Sequence, residues 1–123
     1  MIDYRGVDRD GVSYVECLPG EDRVESEQDA LDLVGACGEY RTPLLLLPAG
    51  TLSDKFFDLS TGVAGGILLK FSNYRIRTAA VLSPEQAQTE KFRDFARETN
   101  RGNAFRLFPD QESAVEWLVS GTR

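Results

Sequence analysis

Short apolar runs alternate along the chain with stretches whose apolar residues recur every three or four positions. The run "TPLLLLPAG" is typical of a strand covered on both faces, "RIRTAAVLS" predicts another buried strand, and "AFRLFP" predicts a last strand. The stretches between them predict helices. Two β-rich segments near the start flank Asp10-Gly11, a dipeptide typical of a two-residue hairpin turn. This order predicts one α/β domain over residues 1–123, with an N-terminal hairpin, a single mostly parallel sheet of about five strands, and four helices.

Polar residues and glycines indicate where two of the helices begin and end. In "SPEQ", Ser83 is predicted to cap the third helix, with Pro84 as its first residue and Gln86 completing a capping box. Gly102 is predicted to end this helix in a left-handed conformation. Asp110 is predicted to cap the last helix.

The segment "FFDLSTGVAGGILLKFSNY" predicts the second helix, although it contains Gly62, Gly65 and Gly66. Its apolar residues form a face wide enough to be buried against a sheet. Each glycine inside a helix costs about 1 kcal/mol relative to alanine, so three glycines call for a compensating gain. Close approach of another backbone or of a ligand is the gain that glycine offers. We therefore predict one amphipathic helix that is thin at these three positions.

Three interpretations of these glycines remain open. A neighbouring element of the same domain could pack closely there, which is the usual reason for such glycines. The same patch of two copies could meet about a twofold axis, which would make the protein a homodimer. Alternatively, the helix begins only near Ser60, and "STG" forms an exposed turn that offers hydroxyls and amides to an anion. The candidate partner- or ligand-binding residues are Ser60, Thr61, Gly62, Gly65 and Gly66.

The composition excludes several kinds of chemistry and of partner. The 123 residues include no histidine, which excludes a Ser-His-Asp triad, a Cys-His pair and a histidine metal site. Cys17 and Cys37 form no disulfide framework and no zinc pattern, and they predict reduced thiols in the cytosol. The net charge of -6 argues against nucleic acid and anionic membrane as partners, and no apolar run approaches the roughly 20 residues of a membrane span. We predict no cofactor, no metal and no catalytic residue.

Basic residues concentrate in the second half of the chain. Arg93, Arg97 and Arg101 recur every four residues and predict a basic line along one side of the third helix. They are candidates for binding a small anion or an acidic partner. Acidic residues interspersed among them favour the alternative of an ordinary solvated face.

Four segments together resemble an uncharacterised bacterial family, the domain of unknown function numbered 4180. They are "DALDLVGACGEY", "FFDLSTGVAGGILLKFSNYRIRTAAV", "FARETNRGNAF" and "AVEWL", and the resemblance covers roughly Ser26 to Leu118. The resemblance implies a fold like that of the anti-sigma-factor antagonists and Sec14-like proteins (STAS-like). It implies no established activity.

A weaker resemblance concerns one turn of the anti-sigma-factor antagonists. Those proteins carry an Asp-Ser-Ser-Gly turn, phosphorylated at serine, just before a glycine-rich helix. Asp58, Ser60, Thr61 and Gly62 occupy a similar place here, although Leu59 interrupts the motif. The resemblance implies a phosphorylation switch at Ser60 or Thr61, where a phosphate would add nearly two negative charges.

These observations lead to three hypotheses of function. The first is a non-catalytic cytosolic regulatory or binding module that binds a protein partner or small ligand and forms a homodimer, with the glycine-bearing helix as its surface. The second is a small-ligand carrier or enzyme with a pocket between the second helix and the sheet. The third is a phospho-switched partner-binding domain that uses Ser60 or Thr61.

Overall fold

A five-stranded sheet with its strands in chain order forms the centre of the protein. The computed structural model describes residues 2–83, 85–86 and 89–121. The first two strands are antiparallel, and the remaining pairs are parallel. This confirms the predicted α/β class with its hairpin and mostly parallel sheet. The strands are β1 (Tyr4–Arg9), β2 (Val12–Cys17), β3 (Leu44–Leu47), β4 (Arg77–Val81) and β5 (Phe105–Phe108).

Five α-helices lie within the described ranges, where the sequence predicts four. The additional helix is a single short turn that overlaps the start of the glycine-bearing segment at Phe56 and Phe57. The helices are α1 (Glu27–Glu39), α2 (Asp54–Phe57), α3 (Val63–Asn73), α4 (Glu90–Thr99) and α5 (Gln111–Ser120), with a 3-10 turn at Leu59–Thr61.

Both faces of the sheet are covered by helices. Leu45 and Leu47 point into a core shared with α1, α2, α3 and α4, whereas Leu44 and Leu46 point into a second core shared with α5. The four leucines are at most 2% exposed, which is why β3 has no polar alternation. Burial of each leucine side chain stabilises the fold by roughly 1.5–3 kcal/mol. Because the parallel strands are neighbours in chain order, the crossover helices share one face.

The hairpin turn between β1 and β2 is confirmed at Asp10-Gly11. Both residues have positive φ, 54° and 81° respectively, which is the geometry of a two-residue turn that matches the twist of its strands.

The predicted single helix from Phe56 to Tyr74 is wrong. The segment is divided into α2, the 3-10 turn and α3, and Gly62 lies between the last two with φ 76° and ψ -1°. A helix cannot continue through this left-handed conformation. The Asp58 side chain caps the 3-10 turn by accepting from the Ser60 amide, which is how aspartate competes with helix formation.

The predicted start of the next helix is also wrong. α4 is capped by Thr89, whose Oγ1 accepts a hydrogen bond of 3.1 Å from the Phe92 amide. The Ser83 amide does donate to Gln86 Oε1 at 2.9 Å, so this half of the predicted capping box forms as a separate turn before the helix. The predicted role of Pro84 lies outside the described residues.

Gly102 does not end α4. The helix ends at Thr99, and its C-cap Asn100 has an ordinary right-handed conformation, with φ -74°. Gly102 also lacks the positive φ of a left-handed residue. Asp110, by contrast, caps α5 as predicted, because its side chain accepts from the Ser113 amide.

Candidate functional site

The turn from Asp58 to Gly62, called the Asp58–Gly62 turn below, is exposed and held by its own polar groups. Asp58 Oδ1 accepts from the Ser60 amide at 3.1 Å and from Ser60 Oγ at 2.6 Å. The Thr61 amide donates to the Asp58 carbonyl at 3.1 Å, and the Gly62 amide donates to the Leu59 carbonyl at 3.3 Å. This local network fixes the direction in which the chain enters α3.

Thr61 connects the two helices on either side of this turn. Its hydroxyl contacts the carbonyl oxygens of Lys55 and Asp58, each at 2.8 Å, and accepts from the Val63 amide at 3.2 Å. It thereby satisfies one of the free amides at the start of α3, where Gly62 has no side chain to do so. Thr61 therefore has a structural role, whereas the only partner of Ser60 among the described residues is Asp58.

The hydrogen bonds from Ser60 lower the pKa of the Asp58 carboxyl group. The Ser60 hydroxyl has the larger effect and its backbone amide the smaller. The donors that the sequence suggests for an anion are thus already used within the chain. Those of Ser60 bind the Asp58 carboxylate, and those of Thr61 and Gly62 bind backbone carbonyls. An incoming anion would have to displace this carboxylate, so the arrangement does not favour the anion-binding interpretation of the turn.

A cleft of about 650 Å³ lies beside the Asp58–Gly62 turn, between α2 and the start of α4. Its apolar part consists of Phe57 and Leu59, both half-buried. The Phe57 ring lies 5.2 Å from the Phe92 ring, which ties α2 to α4. The polar lining residues are Asp54, Asp58, Ser60, Thr89 and Lys91.

The cleft lies at the edge of the sheet where the carboxyl ends of β3 and β4 meet. α2 follows the carboxyl end of β3, and α4 follows the carboxyl end of β4. These two strands are parallel neighbours, so the segments that follow them emerge at the same edge of the sheet. Because the strands lie in chain order, no switch point, which is the usual place of a binding crevice in an open sheet, falls between β3 and β4.

The three glycines of the central segment have different surroundings. A Cβ atom at Gly66 would lie 3.0 Å from Glu27 Cγ of α1, and Glu27 is also ion-paired with Lys70 at 3.6 Å. Gly66 therefore lies against another helix of the same domain. Apart from the adjacent backbone, no described residue would come within 4 Å of a Cβ atom at Gly62 or Gly65, and both glycines are exposed.

The structure thus separates the five candidate residues of this segment. Ser60 lines the cleft, and Thr61 and Gly62 shape the turn that forms its edge. Gly65 lies on the outer surface of α3, one turn before Leu69, which is 55% exposed. Gly66 faces α1.

The three candidate arginines do not all lie on one helix. Arg93 and Arg97 belong to α4, but Arg101 follows the end of the helix. All three are exposed, and Arg97 and Arg101 are ion-paired with Asp94 and Glu98 respectively. These ion pairs lie on a solvated surface. Anion binding by the three arginines stays a prediction.

Both cysteines are buried free thiols. Burial is the main cause that raises the pKa of Cys17 and of Cys37 to about 12. A thiol with this pKa is almost never a thiolate near neutral pH, so neither side chain is an activated nucleophile.

Thr89 and Lys91 are cleft residues that the sequence analysis missed. They are about thirty positions away from the turn in the sequence, and no local pattern links the two segments. Phe57 and Leu59 were assigned to a buried helical face because their spacing continues that of α3. A signal for Thr89 does exist, since it directly precedes Glu90, and an acidic residue favours the first turn of a helix.

The described residues contain no cluster of three or more His, Cys, Asp or Glu side chains placed to hold a metal ion. None of the helices found in these ranges is long and apolar enough to cross a membrane.

Comparison with known proteins identifies the family of the chain. Neither a curated protein nor a solved structure matches it significantly. The model of a domain of unknown function, DUF4180, matches residues 9–118. This match covers most of the 123 residues, including four of the five strands in full, only Arg9 of β1, and all five helices up to Leu118. The chain therefore belongs to the DUF4180 family.

Proposed function

We propose that this protein is a non-catalytic cytosolic binding module whose partner is another protein, docked at the cleft beside the Asp58–Gly62 turn. The observation that carries the proposal is the composition of this cleft, in which Phe57 and Leu59 form an apolar centre with a polar margin. Protein interfaces commonly combine an apolar core with a polar rim. The exposed serine at the margin gives the site a means of regulation.

The chemistry of the titratable groups supports binding over catalysis. Asp58 has a lowered pKa, which makes its carboxylate a weaker base. The two thiols are buried and protonated, and the sequence has no histidine. The cytosolic location is supported by the same two free thiols, since secreted domains tend to pair their cysteines.

A paired substitution tests where the partner binds. Leu59 in the cleft and Leu69 on the outer surface of α3 are each changed to aspartate. We expect Leu59→Asp to lose the partner that co-purifies with the wild-type protein and Leu69→Asp to retain it. Native mass spectrometry of gently purified protein measures the bound partner, and circular dichroism with thermal unfolding checks that both variants fold.

This pair also separates the cleft from the helix surface that the glycines suggest. Loss of the partner from Leu69→Asp alone would assign binding to the outer surface of α3 and refute the cleft. Retention by both variants, or wild-type protein with no bound partner, would also contradict the proposal.

A phosphorylation switch at Ser60 is a second candidate function, favoured by the position of its hydroxyl. Ser60 Oγ is exposed and lies 2.6 Å from Asp58 Oδ1. A phosphate there would place nearly two negative charges beside a carboxylate, so the two groups would repel and the turn would open. Thr61 is the less suitable site, because its hydroxyl bonds to backbone groups on both sides.

The mass of natively expressed protein tests this switch. We expect a phosphorylated fraction in the wild type that Ser60→Ala removes and Thr61→Ser preserves. A wild-type chain without phosphate under all growth conditions tried would refute the switch and leave the cleft proposal intact.

The alternative of a ligand pocket between the glycine-bearing helix and the sheet has less support. Ala64, Ile67 and Phe71 project from α3 into the core and are at most 1% exposed. Their side chains occupy the space in which a ligand would have to lie. The proposed STAS-like character of the fold is supported by the hairpin followed by alternating strands and helices.

A further inference from the structure

The two edges of the sheet differ in how their backbone groups are satisfied. Along β5, the groups of Arg106 and Phe108 face β4, so those of Phe105 and Leu107 point away from the sheet. The Asn100 side chain binds the amide and the carbonyl of Leu107. Its Oδ1 accepts from the Leu107 amide at 2.8 Å, and its Nδ2 donates to the Leu107 carbonyl at 3.1 Å. This side chain takes the place of a neighbouring strand at Leu107.

The edge at β1 has no comparable cover. The Leu18 amide donates to the Asp3 carbonyl at 2.8 Å, which continues the ladder between β1 and β2. Hydrogen-bonded pairs alternate along an antiparallel ladder, so the backbone groups of Arg5, Val7 and Arg9 bond to β2. The backbone groups of the residues between them point away from the sheet. Among the described residues, none hydrogen-bonds to the outward amides and carbonyls of Tyr4, Gly6 and Asp8.

We propose that this edge pairs with β1 of a second copy of the chain, antiparallel and about a twofold axis at Gly6. Such pairing would join the two sheets into one and satisfy the outward groups of both copies. In this pairing, only residues whose backbone groups point away from the sheet can hydrogen-bond to each other. The possible registers therefore differ from one another in steps of two residues.

The charges of β1 favour this register over the two nearest alternatives. With Gly6 opposite Gly6 of the second copy, Arg5 faces Val7, and Asp3 faces Arg9 at both ends. A shift of two residues in either direction places Arg5 opposite a second arginine, either Arg5 or Arg9. Like charges directly opposite each other destabilise a strand pair, and opposite charges stabilise it.

An exposed aromatic surface adjoins the same edge. The Tyr40 ring packs over Gly6, where a Cβ atom would lie 2.5 Å from its Cδ1, and it forms an edge-to-face contact of 6.2 Å with Tyr4. Tyr40 remains 41% exposed. With the axis at Gly6, the Tyr40 rings of the two copies lie close to each other and bury this surface.

A charge reversal with rescue tests the pairing. Asp3 and Arg9 are both exposed, so Asp3→Arg and Arg9→Asp change the proposed contact with little effect on the core. We expect sedimentation velocity to show a wild-type dimer and each single variant to raise its dissociation constant roughly tenfold, because two pairs of like charge replace two of opposite charge. The double variant Asp3→Arg/Arg9→Asp restores the opposite pairs and the dimer. A wild type that is monomeric at every concentration, single variants with unchanged dimerisation, or a double variant that stays weak would overturn the inference.

Amide hydrogen exchange of the same dimer provides a second test, resolved by residue with NMR. We expect the amides of Tyr4, Gly6 and Asp8 to exchange slowly at high concentration and rapidly on dilution. The amides of Arg5 and Val7 bond within the chain and serve as internal controls that stay slow at both concentrations. Rapid exchange at Gly6 in the dimer would place the interface elsewhere and refute the pairing.

Discussion

Residues of one type have different roles in the central segment, and glycine shows this most clearly. Gly62 adopts a left-handed conformation between two helical elements, Gly65 is an exposed helical residue, and Gly66 faces Glu27. The sequence shows that the three glycines call for an explanation, but it cannot assign one to each. Apolar residues continue at helical spacing from Phe56 through Leu59 into α3, so the sequence pattern does not show the interruption at Gly62.

The same substitution at two of these glycines is expected to have opposite effects. Gly62→Ala should lower the free energy of unfolding by about 1–2 kcal/mol, because its φ of 76° strains any residue with a Cβ atom. Gly65→Ala should raise the free energy of unfolding by roughly 0.5–1 kcal/mol, because this position is helical and has open space around it. Urea unfolding of both variants measures the difference. A stabilising Gly62→Ala would indicate that the helix is continuous after all.

At the scale of elements, strands were easier to predict than helix boundaries. β3 is apolar on both faces because each face has its own core, and the Asp10-Gly11 turn has a specific backbone requirement that its residues meet. The predicted start of α4 is too early because Ser83 and Gln86 bond to each other in a turn that precedes the helix. A capping pattern reports local bonding, and packing decides whether a helix follows it.

Substitution of the two possible caps of α4 tests this assignment. Thr89→Ala should cost about 1 kcal/mol in the free energy of unfolding, because the Phe92 amide loses its side-chain acceptor. Ser83→Ala should cost clearly less, since Ser83 takes part in its turn through its backbone amide. Thermal unfolding of the two variants makes the comparison. A larger loss from Ser83→Ala would mean that the helix begins at the earlier motif.

At the scale of the whole molecule, the order of strands and helices followed from the sequence, whereas the candidate site followed only in part. Ser60 was identified from its local motif. Thr89 and Lys91 join it only because β3 and β4 are parallel neighbours, which brings the segments after them to one edge. A site assembled from distant segments has no single signature in the sequence.

The central proposal about function is that a protein partner binds at the cleft beside the Asp58–Gly62 turn. Site-specific photo-cross-linking in cells tests it most directly. A photoreactive residue replaces Asp54 at the cleft, and the control replaces Gln111. Both are exposed first residues of helices, but Gln111 lies on the helix that covers the opposite face of the sheet. We predict a protein adduct from position 54 that is missing from position 111. The same adduct from both positions, or none from position 54, would contradict the account.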